Sequence, residues 1–285
     1  MFSALLAASL VFSQADANLA FKTATGLVEN HTPRDSGTTR SMLAANYLLD
    51  AASAAGADVR RDMFVAKTPK GERRFTNLIA SFKRNPDAPW VVLVSHYDTK
   101  TGVDCPGAND GASTSGLLVA LAGVLYNHRT QNDNVMLIWT DGEECMNAYV
   151  EDDGLWGSRH AAKSLKESGV KVKAVICLDM LGDKDLHIIV PANTTAVLKK
   201  LAQQAAEKAG LKDLLKIDES LVVTDDHSAF LSAGCPAINF IDFDYGPGNT
   251  WWHTPADTMD KVSKASLLSS GRLVAAFLNI LLYGK

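Results

Sequence analysis

The chain has 285 residues, 47% of them hydrophobic and 21% charged, with a formal net charge of −4. This is ordinary globular composition, in a chain long enough to bury a substantial core. The mild acidity and the lack of a basic block argue against nucleic acid or an anionic membrane as the main partner. Neither low complexity nor a repeat of roughly 20–50 residues is visible.

In chain order, the apolar run Ala4–Phe12, ALLAASLVF, comes first and is followed by the small-residue stretch SQADA. It reads two ways: the end of a secretory signal peptide without its basic n-region, or an ordinary first helix packed on the domain. Export, periplasmic or secreted, is the expectation, with a cytoplasmic protein as the alternative. No other run approaches the roughly 18 apolar residues of a membrane span. Ser41–Ala54 has helical spacing, with Gly56 just past its end. Val59–Ala66 and Phe75–Phe82 read as strands joined by TPKGERR, whose Pro and Gly set a hairpin bend. Trp90–Ser95, WVVLVS, is a continuous apolar run, as expected of a strand buried on both faces. Ser113–Tyr126 is an apolar helix, Val135–Trp139 another buried strand, and Ser158–Ser168 a helix ending at Gly169. Val172–Asp179 and Leu186–Val190 read as strands, and Thr194–Ala209 as a helix closed by Gly210. Ala237–Ile241 is a strand, and Ala265–Leu282 a long final helix that reads as core rather than interface.

Strands alternating with helices predict a three-layer αβα sandwich around a central mixed, mainly parallel sheet, with the early hairpin as an antiparallel edge. No linker rich in Pro, Gly and Ser divides the chain. Residues 18–285 therefore read as one domain, and residues 1–17 as a signal-peptide remnant or N-terminal helix. A monomer is the expected state. Cys105, Cys145, Cys177 and Cys235 form no CxxC pair, which argues against a structural cysteine–zinc site. Cys177 and Cys235 read as buried inert thiols. Cys105 and Cys145 fall in loops beside acidic motifs, and in an exported protein those two could pair.

Open α/β sheets bind ligands outside the carboxyl ends of their strands. After WVVLVS comes His96-Tyr97-Asp98, and Asp110 lies in GANDGAS before the apolar helix. After VMLIW come Asp141, Glu143 and Glu144, after KAVICL comes Asp179, and after PAINFI and a Gly-rich loop comes His253 in WWHT. Each has an ordinary explanation alone. His96 could be a satisfied strand-end histidine, Asp110 a helix cap, Asp179 a turn residue, Glu143-Glu144 a solvated pair, and His253 a surface residue. Their coincidence at successive strand ends is what chance does not supply. Oxygen and imidazole donors without thiolate suit zinc in an open catalytic site. The adjacent glutamates then have a reason: successive residues point in different directions, so one can ligate while the other acts as base. A bound cation also removes the cost of placing two carboxylates together.

Together HYDTK, GANDGAS, TDGEE, LDMLGD, TDDHSAFL and WWHT resemble the M28 zinc metallopeptidase family. That family includes dinuclear aminopeptidases and the animal and bacterial glutaminyl-peptide cyclotransferases. The likeness runs from about Asn18 to the C-terminal helix. It implies that His96, Asp110, Glu144, Asp179 and His253 stand at metal-ligand positions, with Asp110 bridging if two zincs bind. It further implies that Glu143 is the catalytic acid/base and that Asp98 orients His96. In cyclases only the positions of Asp110, Glu144 and His253 hold the single zinc, so the full ligand set does not separate the branches.

The ten residues CMNAYVEDDG after Glu144 do bear on that choice. Aminopeptidases go almost at once from the glutamate pair to a helix start, whereas cyclases carry an insertion of similar length with an aromatic that walls the pocket. Tyr149 stands where that aromatic, usually Trp, would be. TPKGERRFTN, Asp225-Asp226-His227 and Trp252 before His253 are further cyclase-like features. Against them, GANDGAS is equally at home in aminopeptidases and Asn239 stands where animal cyclases have a histidine. The loop DFDYGPGN reads as lacking the phenylalanine that animal cyclases place there.

The resemblance thus favours cyclisation of N-terminal Gln to pyroglutamate with loss of ammonia, on peptide or protein substrates with a free N-terminus. Glu143 would shuttle the proton, Asp225 and Asp179 would hold the intermediate through a proton network, and Tyr149 and Trp252 would wall the pocket, with Asp226 and His227 beside them. One zinc is implied for this chemistry. The alternative is an aminopeptidase with two zincs and Glu143 as base. A non-catalytic binding domain is disfavoured by the complete ligand set.

Overall fold

The computed structural model describes residues 9–128, 133–150 and 152–284. Helix α1 (Gln14–His31) starts from a capping box in which Ser13 and Asp16 satisfy each other's backbone N–H. Its buried stripe is made of small residues, Ala17, Ala20 and Ala24, with Leu27. That weak apolar signal is why the sequence pattern did not reveal a helix there. Leu10 and Phe12 are buried ahead of it, and the Leu10 backbone exchanges hydrogen bonds of 2.8 and 2.9 Å with the Asn279 amide. The division expected at residue 17 therefore falls inside a helix. Of the N-terminal apolar run, residues 4–8 lie outside the described residues.

Then come α2 (Thr39–Ala54), β1 (Val59–Thr68), β2 (Gly71–Phe82), β3 (Trp90–His96), α3 (Thr114–Asn127) and β4 (Asn134–Thr140). The second half holds α4 (Trp156–Glu167), β5 (Val172–Asp179), β6 (Ile188–Pro191), α5 (Ala196–Ala209), β7 (Leu215–Asp218), α6 (Asp226–Ser232), β8 (Ala237–Ile241) and α7 (Lys264–Tyr283). Elements β7 and α6 were not expected. One is four residues of alternating polarity and the other seven residues, both too short for a periodic signal.

The strand order is β1-β2-β4-β3-β5-β8-β6-β7. The central strands β4, β3, β5 and β8 are parallel, β1 and β2 form the expected antiparallel hairpin at one edge, and β6 joins β8 antiparallel. The sheet is thus mixed with a parallel centre. Its side chains alternate between two cores, as the strand pleat requires. Val91 and Leu93 pack with α1, α2, α3, α5 and α7, while Val92 and Val94 pack with Ala161, Ala162 and Leu165 of α4 and Phe230 of α6. Each such aliphatic side chain contributes about 1.5–3 kcal/mol by leaving water.

Helix α7 corrects one expectation. With mean hydropathy 1.6 it is long and apolar enough to cross a membrane by composition, but 61% of that window is buried within the protein. Phe277 and Leu278 are fully buried, and Phe277 packs edge-on against Phe240 of β8. All four cysteines are free. The Cys105–Cys145 pairing is therefore absent: both thiols are buried, and the Cys145 Sγ instead meets Lys100 Nζ at 2.9 Å.

Candidate metal centre and active site

The parallel strands β3, β4 and β5 all end at one edge, and the side chains gather there. Strand β3 ends in His96, whose carbonyl is held by the Ser115 hydroxyl of α3 at 2.8 Å. Asp110 lies in a single turn, Ala108–Ser113, broken by non-helical backbone at Asp110 and Gly111. Gly111 has φ +105°, and a Cβ there would lie 2.7 Å from the His96 ring. Only glycine lets this loop close so tightly over the imidazole. Strand β5 delivers Asp179, and the loop after β8 delivers His253. Met180 and His253 themselves hold positive φ of 54°, a strained conformation that concentrates at functional sites.

Beyond β4, Asp98 fixes the glutamate pair. Its two carboxylate oxygens accept the backbone N–H of Glu143 at 3.1 Å and of Glu144 at 3.2 Å. Asp98 Oδ1 also lies 3.5 Å from His96 Nδ1, so the same carboxylate reaches both the ring and the glutamate amides. Clamping two successive amides fixes the backbone from which both side chains reach the cavity, with Glu144 also meeting His253.

The donors form two triads that share Asp110: His96, Asp110 and Asp179, and Asp110, Glu144 and His253, each with donor atoms within 4.8 Å of one another. His96 Nε2 lies 3.0 Å from Asp110 and 3.2 Å from Asp179. His253 Nε2 lies 2.8 Å from Glu144 and 3.2 Å from Asp110. Burial opposes charge on His253, but hydrogen bonds to Asp110 and Glu144 win and push its pKa up to about 9. Burial, and then the neighbouring Glu144 charge, hold Glu143 well above the usual carboxylate range. Burial likewise pushes Asp179 up to about 6. Asp110, Glu143, Glu144, Asp179 and Asp225 face one cavity, which calls for a positive charge. Buried oxygen and imidazole donors without thiolate fit a zinc ion.

The cavity has a volume of about 180 Å³, below the roughly 300–1,000 Å³ of sites for drug-sized ligands. It is room for one side chain. The segment 145–154 builds part of its wall. Asp153 gathers the start of that segment by accepting the N–H of Met146 at 2.6 Å, Asn147 at 2.8 Å and Ala148 at 3.1 Å. Tyr149 then swings over the glutamates, its hydroxyl 3.1 Å from Glu143 Oε2 and 3.4 Å from Glu144 Oε2. Lys100 ties the segment to the loop after β3, donating to the Cys145 carbonyl at 2.8 Å and lying 3.6 Å from Glu144. On the opposite wall Trp252 stacks on His253 with ring centroids 3.9 Å apart. Phe243 meets Trp252 edge-on at 5.1 Å and lines the cavity, although its loop read as lacking a pocket phenylalanine.

Asp225 faces the cavity and accepts from the Asn239 amide at 2.7 Å. Burial and the Asp179 charge push Asp225 up to about 7. Asp226 and His227 do not join it in the wall. Asp226 turns inward to accept the Thr140 hydroxyl at 2.5 Å, and His227 is fully buried. A helix start explains this: Asp225 caps α6, so the next two side chains rotate away from the cavity.

Several supporting residues carried no sequence signal strong enough to single out. Asp257, four residues after His253, accepts the N–H of Asn109 at 2.8 Å and of Asp110 at 3.2 Å, and the Tyr245 hydroxyl at 2.7 Å. Arg34 is fully buried behind the same loop and donates to the carbonyls of Tyr97, Pro106 and Gly107 at 2.5–2.7 Å. The apolar wall residues Val222, Val223 and Ile241 were also not foreseen.

Comparison with known proteins agrees with this geometry. A glutaminyl-peptide cyclotransferase of Drosophila melanogaster is 28% identical over 273 residues, covering 86% of this chain and 76% of that protein. The crystal structure of an Acidobacteriales bacterium glutaminyl cyclase superposes with TM-score 0.90 at 30% identity, covering 100% of both chains. Aminopeptidase YwaD of Bacillus subtilis is 30% identical over 202 residues, 68% of this chain but 41% of that protein. The profile of peptidase family M28 matches residues 77–278. With well over half its length matched, the chain belongs to peptidase family M28.

Proposed function

We propose that this chain is a zinc-dependent glutaminyl-peptide cyclotransferase, converting N-terminal Gln of peptides to pyroglutamate with release of ammonia. The observation that carries this reading is Tyr149 lying over the glutamate pair as one wall of the cavity. A space for one side chain, walled by Tyr149, Trp252 and Phe243, suits a glutamine folding back on its own α-amine. The cyclase relatives, matched over the full chain in one case, support it further.

Asp110, Glu144 and His253 would hold one zinc. When bound, it polarises the γ-amide carbonyl as a Lewis acid. The pocket walls hold the α-amine against the amide carbon, replacing a bimolecular encounter with an oriented intramolecular one. As the new C–N bond forms, Glu143 accepts the proton from the amine. It returns that proton to the departing NH₂ as the old C–N bond breaks, and ammonia leaves. Burial and the Glu144 charge raise the proton affinity of Glu143, which suits a group that takes a proton and returns it. Tyr149 donates to Glu143 and fixes its direction. Asp179 and Asp225, both raised, extend the proton network beneath the reacting amide.

An aminopeptidase with two zincs is the second reading, with the second triad of His96, Asp110 and Asp179 as the place for a second ion. Incubation of the zinc-loaded protein with Gln-peptides and with Leu- or Ala-anilides separates the two. Ammonia release without chain shortening supports cyclisation, and release of a free amino acid refutes it. Glu143→Gln should nearly abolish turnover with zinc retained.

A further inference from the structure

Beside the cavity lies a second depression of about 610 Å³, between α4 and α6. It begins at Leu155, whose N–H donates to the Glu143 carbonyl at 2.9 Å. Thr224 lines both spaces, so the two adjoin at that residue. Arg159, Lys163 and Lys166 line it, and no described carboxylate does. Their spacing of four and then three residues puts all three on one face of α4. This runs against the chain's net charge of −4. The nearest competing acid, Glu167, meets Lys163 at 3.8 Å with both side chains largely exposed, a pairing of little strength. Arg159 also donates to the Val150 carbonyl at 2.9 Å, which anchors the groove to the segment that carries Tyr149.

We propose that this groove binds the acidic downstream part of the peptide substrate. The inference rests on the peptide N-terminus occupying the cavity, not on which bond then breaks. From Leu155 to Lys166 helix α4 rises about 16 Å at roughly 1.5 Å per residue. That is the reach of about five extended residues. A peptide leaving the cavity over Thr224 meets Arg159 first, then Lys163 and Lys166. Carboxylates at about its third to sixth positions then face a cation at each turn of the helix. Attraction of this kind acts mainly on encounter and on KM and is screened by salt.

The test compares three substrates on the zinc-loaded protein: Gln-Gly, Gln-Gly-Glu-Asp-Glu amide and Gln-Gly-Gln-Asn-Gln amide. The acidic peptide should exceed the neutral one in kcat/KM by about fivefold at low salt, with most of the gap lost near 0.5 M NaCl. The double variant Lys163→Glu/Lys166→Glu should lower kcat/KM for the acidic peptide about tenfold and leave Gln-Gly within about twofold. Equal rates for the acidic and neutral peptides overturn the proposal, as does an equal loss on Gln-Gly. A second measurement separates this from the reaction assigned above. Fluorescence anisotropy of the acidic peptide on zinc-loaded Glu143→Gln protein reads the groove without turnover. Binding that weakens with the lysine reversals supports the groove even if the peptide proves to be hydrolysed. Binding indifferent to them refutes it even if ammonia is released.

Discussion

Asp153→Ala tests whether the segment after the glutamates is an organised wall. The Asp153 carboxylate accepts three backbone N–H groups. Those of exposed Asn147 and Ala148 can turn to water, whereas Met146 is buried and its N–H would be stranded. One stranded buried donor costs about 1–3 kcal/mol. The described residues of the segment lie outside the named strands and helices, so this cost falls on local order rather than on the whole fold. At about 1.4 kcal/mol per decade, the ratio of segment holding Tyr149 over Glu143 to segment that does not should fall about 5- to 150-fold. The loss appears in kcat/KM if the ordered state is only marginally favoured. Ammonia release from a Gln-peptide gives kcat/KM, a thermal melt checks the fold, and metal analysis checks zinc. Expected are a large drop in kcat/KM, a small shift in Tm and full zinc content. Wild-type kcat/KM would refute the reasoning, and so would an activity loss that only follows loss of zinc.

Tyr149→Phe keeps the ring in the wall but removes the hydroxyl from Glu143. It should lower kcat about tenfold, with KM and zinc content little changed, and an unchanged kcat removes Tyr149 from the proton path. Asp257→Ala leaves the Asn109 and Asp110 N–H groups and the Tyr245 hydroxyl without their acceptor. Zinc affinity should drop about 10- to 100-fold in a chelator competition, and an unchanged affinity shows that the Asp110 loop holds itself. Asp242, which accepts the N–H groups of His187 and Asp244, gives a pH prediction. Burial pushes its carboxyl up to about 7, above the unfolded value of about 3.9. The native chain therefore binds this proton more tightly. The stability it contributes is complete below about pH 4 and is lost as pH rises towards 7. Urea melts at pH 5 and pH 8 should show a smaller loss of stability in Asp242→Asn than in the natural protein. An identical loss in both places the pH dependence elsewhere.

The strand ends were legible because the link from residue to position is short. An apolar run of six or seven residues predicts a buried strand, and the next residue is then at the edge of the sheet. His96, Glu143, Glu144 and Asp179 could be read that way. The parallel centre followed from alternation of strand and helix, and the antiparallel edge from the Pro-Gly turn. Helix α1 was missed because its buried face is alanine, which carries little hydropathy contrast. Asp226 and His227 were put in the wall because nothing in TDDHS reveals that a helix starts at Asp225 and turns the next two side chains inward.

The supporting residues were illegible for a different reason, which also explains why the glutamate pair can exist at all. Asp98 accepts from amides 45 and 46 positions away, and Asp257 from amides 148 and 147 positions away. Each is an aspartate among many in the sequence and is recognisable only after the chain has folded. Yet these contacts decide the chemistry. Two adjacent carboxylates repel unless something fixes their backbone and something positive separates their heads. Asp98 supplies the first by holding both amides. His253 supplies the second on the Glu144 side, while Tyr149 and burial leave Glu143 facing the cavity with a raised proton affinity. The pair differs in surroundings, since Glu144 meets His253 and belongs with it and Asp110 to a group that could hold a metal, whereas Glu143 belongs to neither such group among the described residues. Tyr149 adds to that asymmetry, since its hydroxyl lies 3.1 Å from Glu143 and 3.4 Å from Glu144.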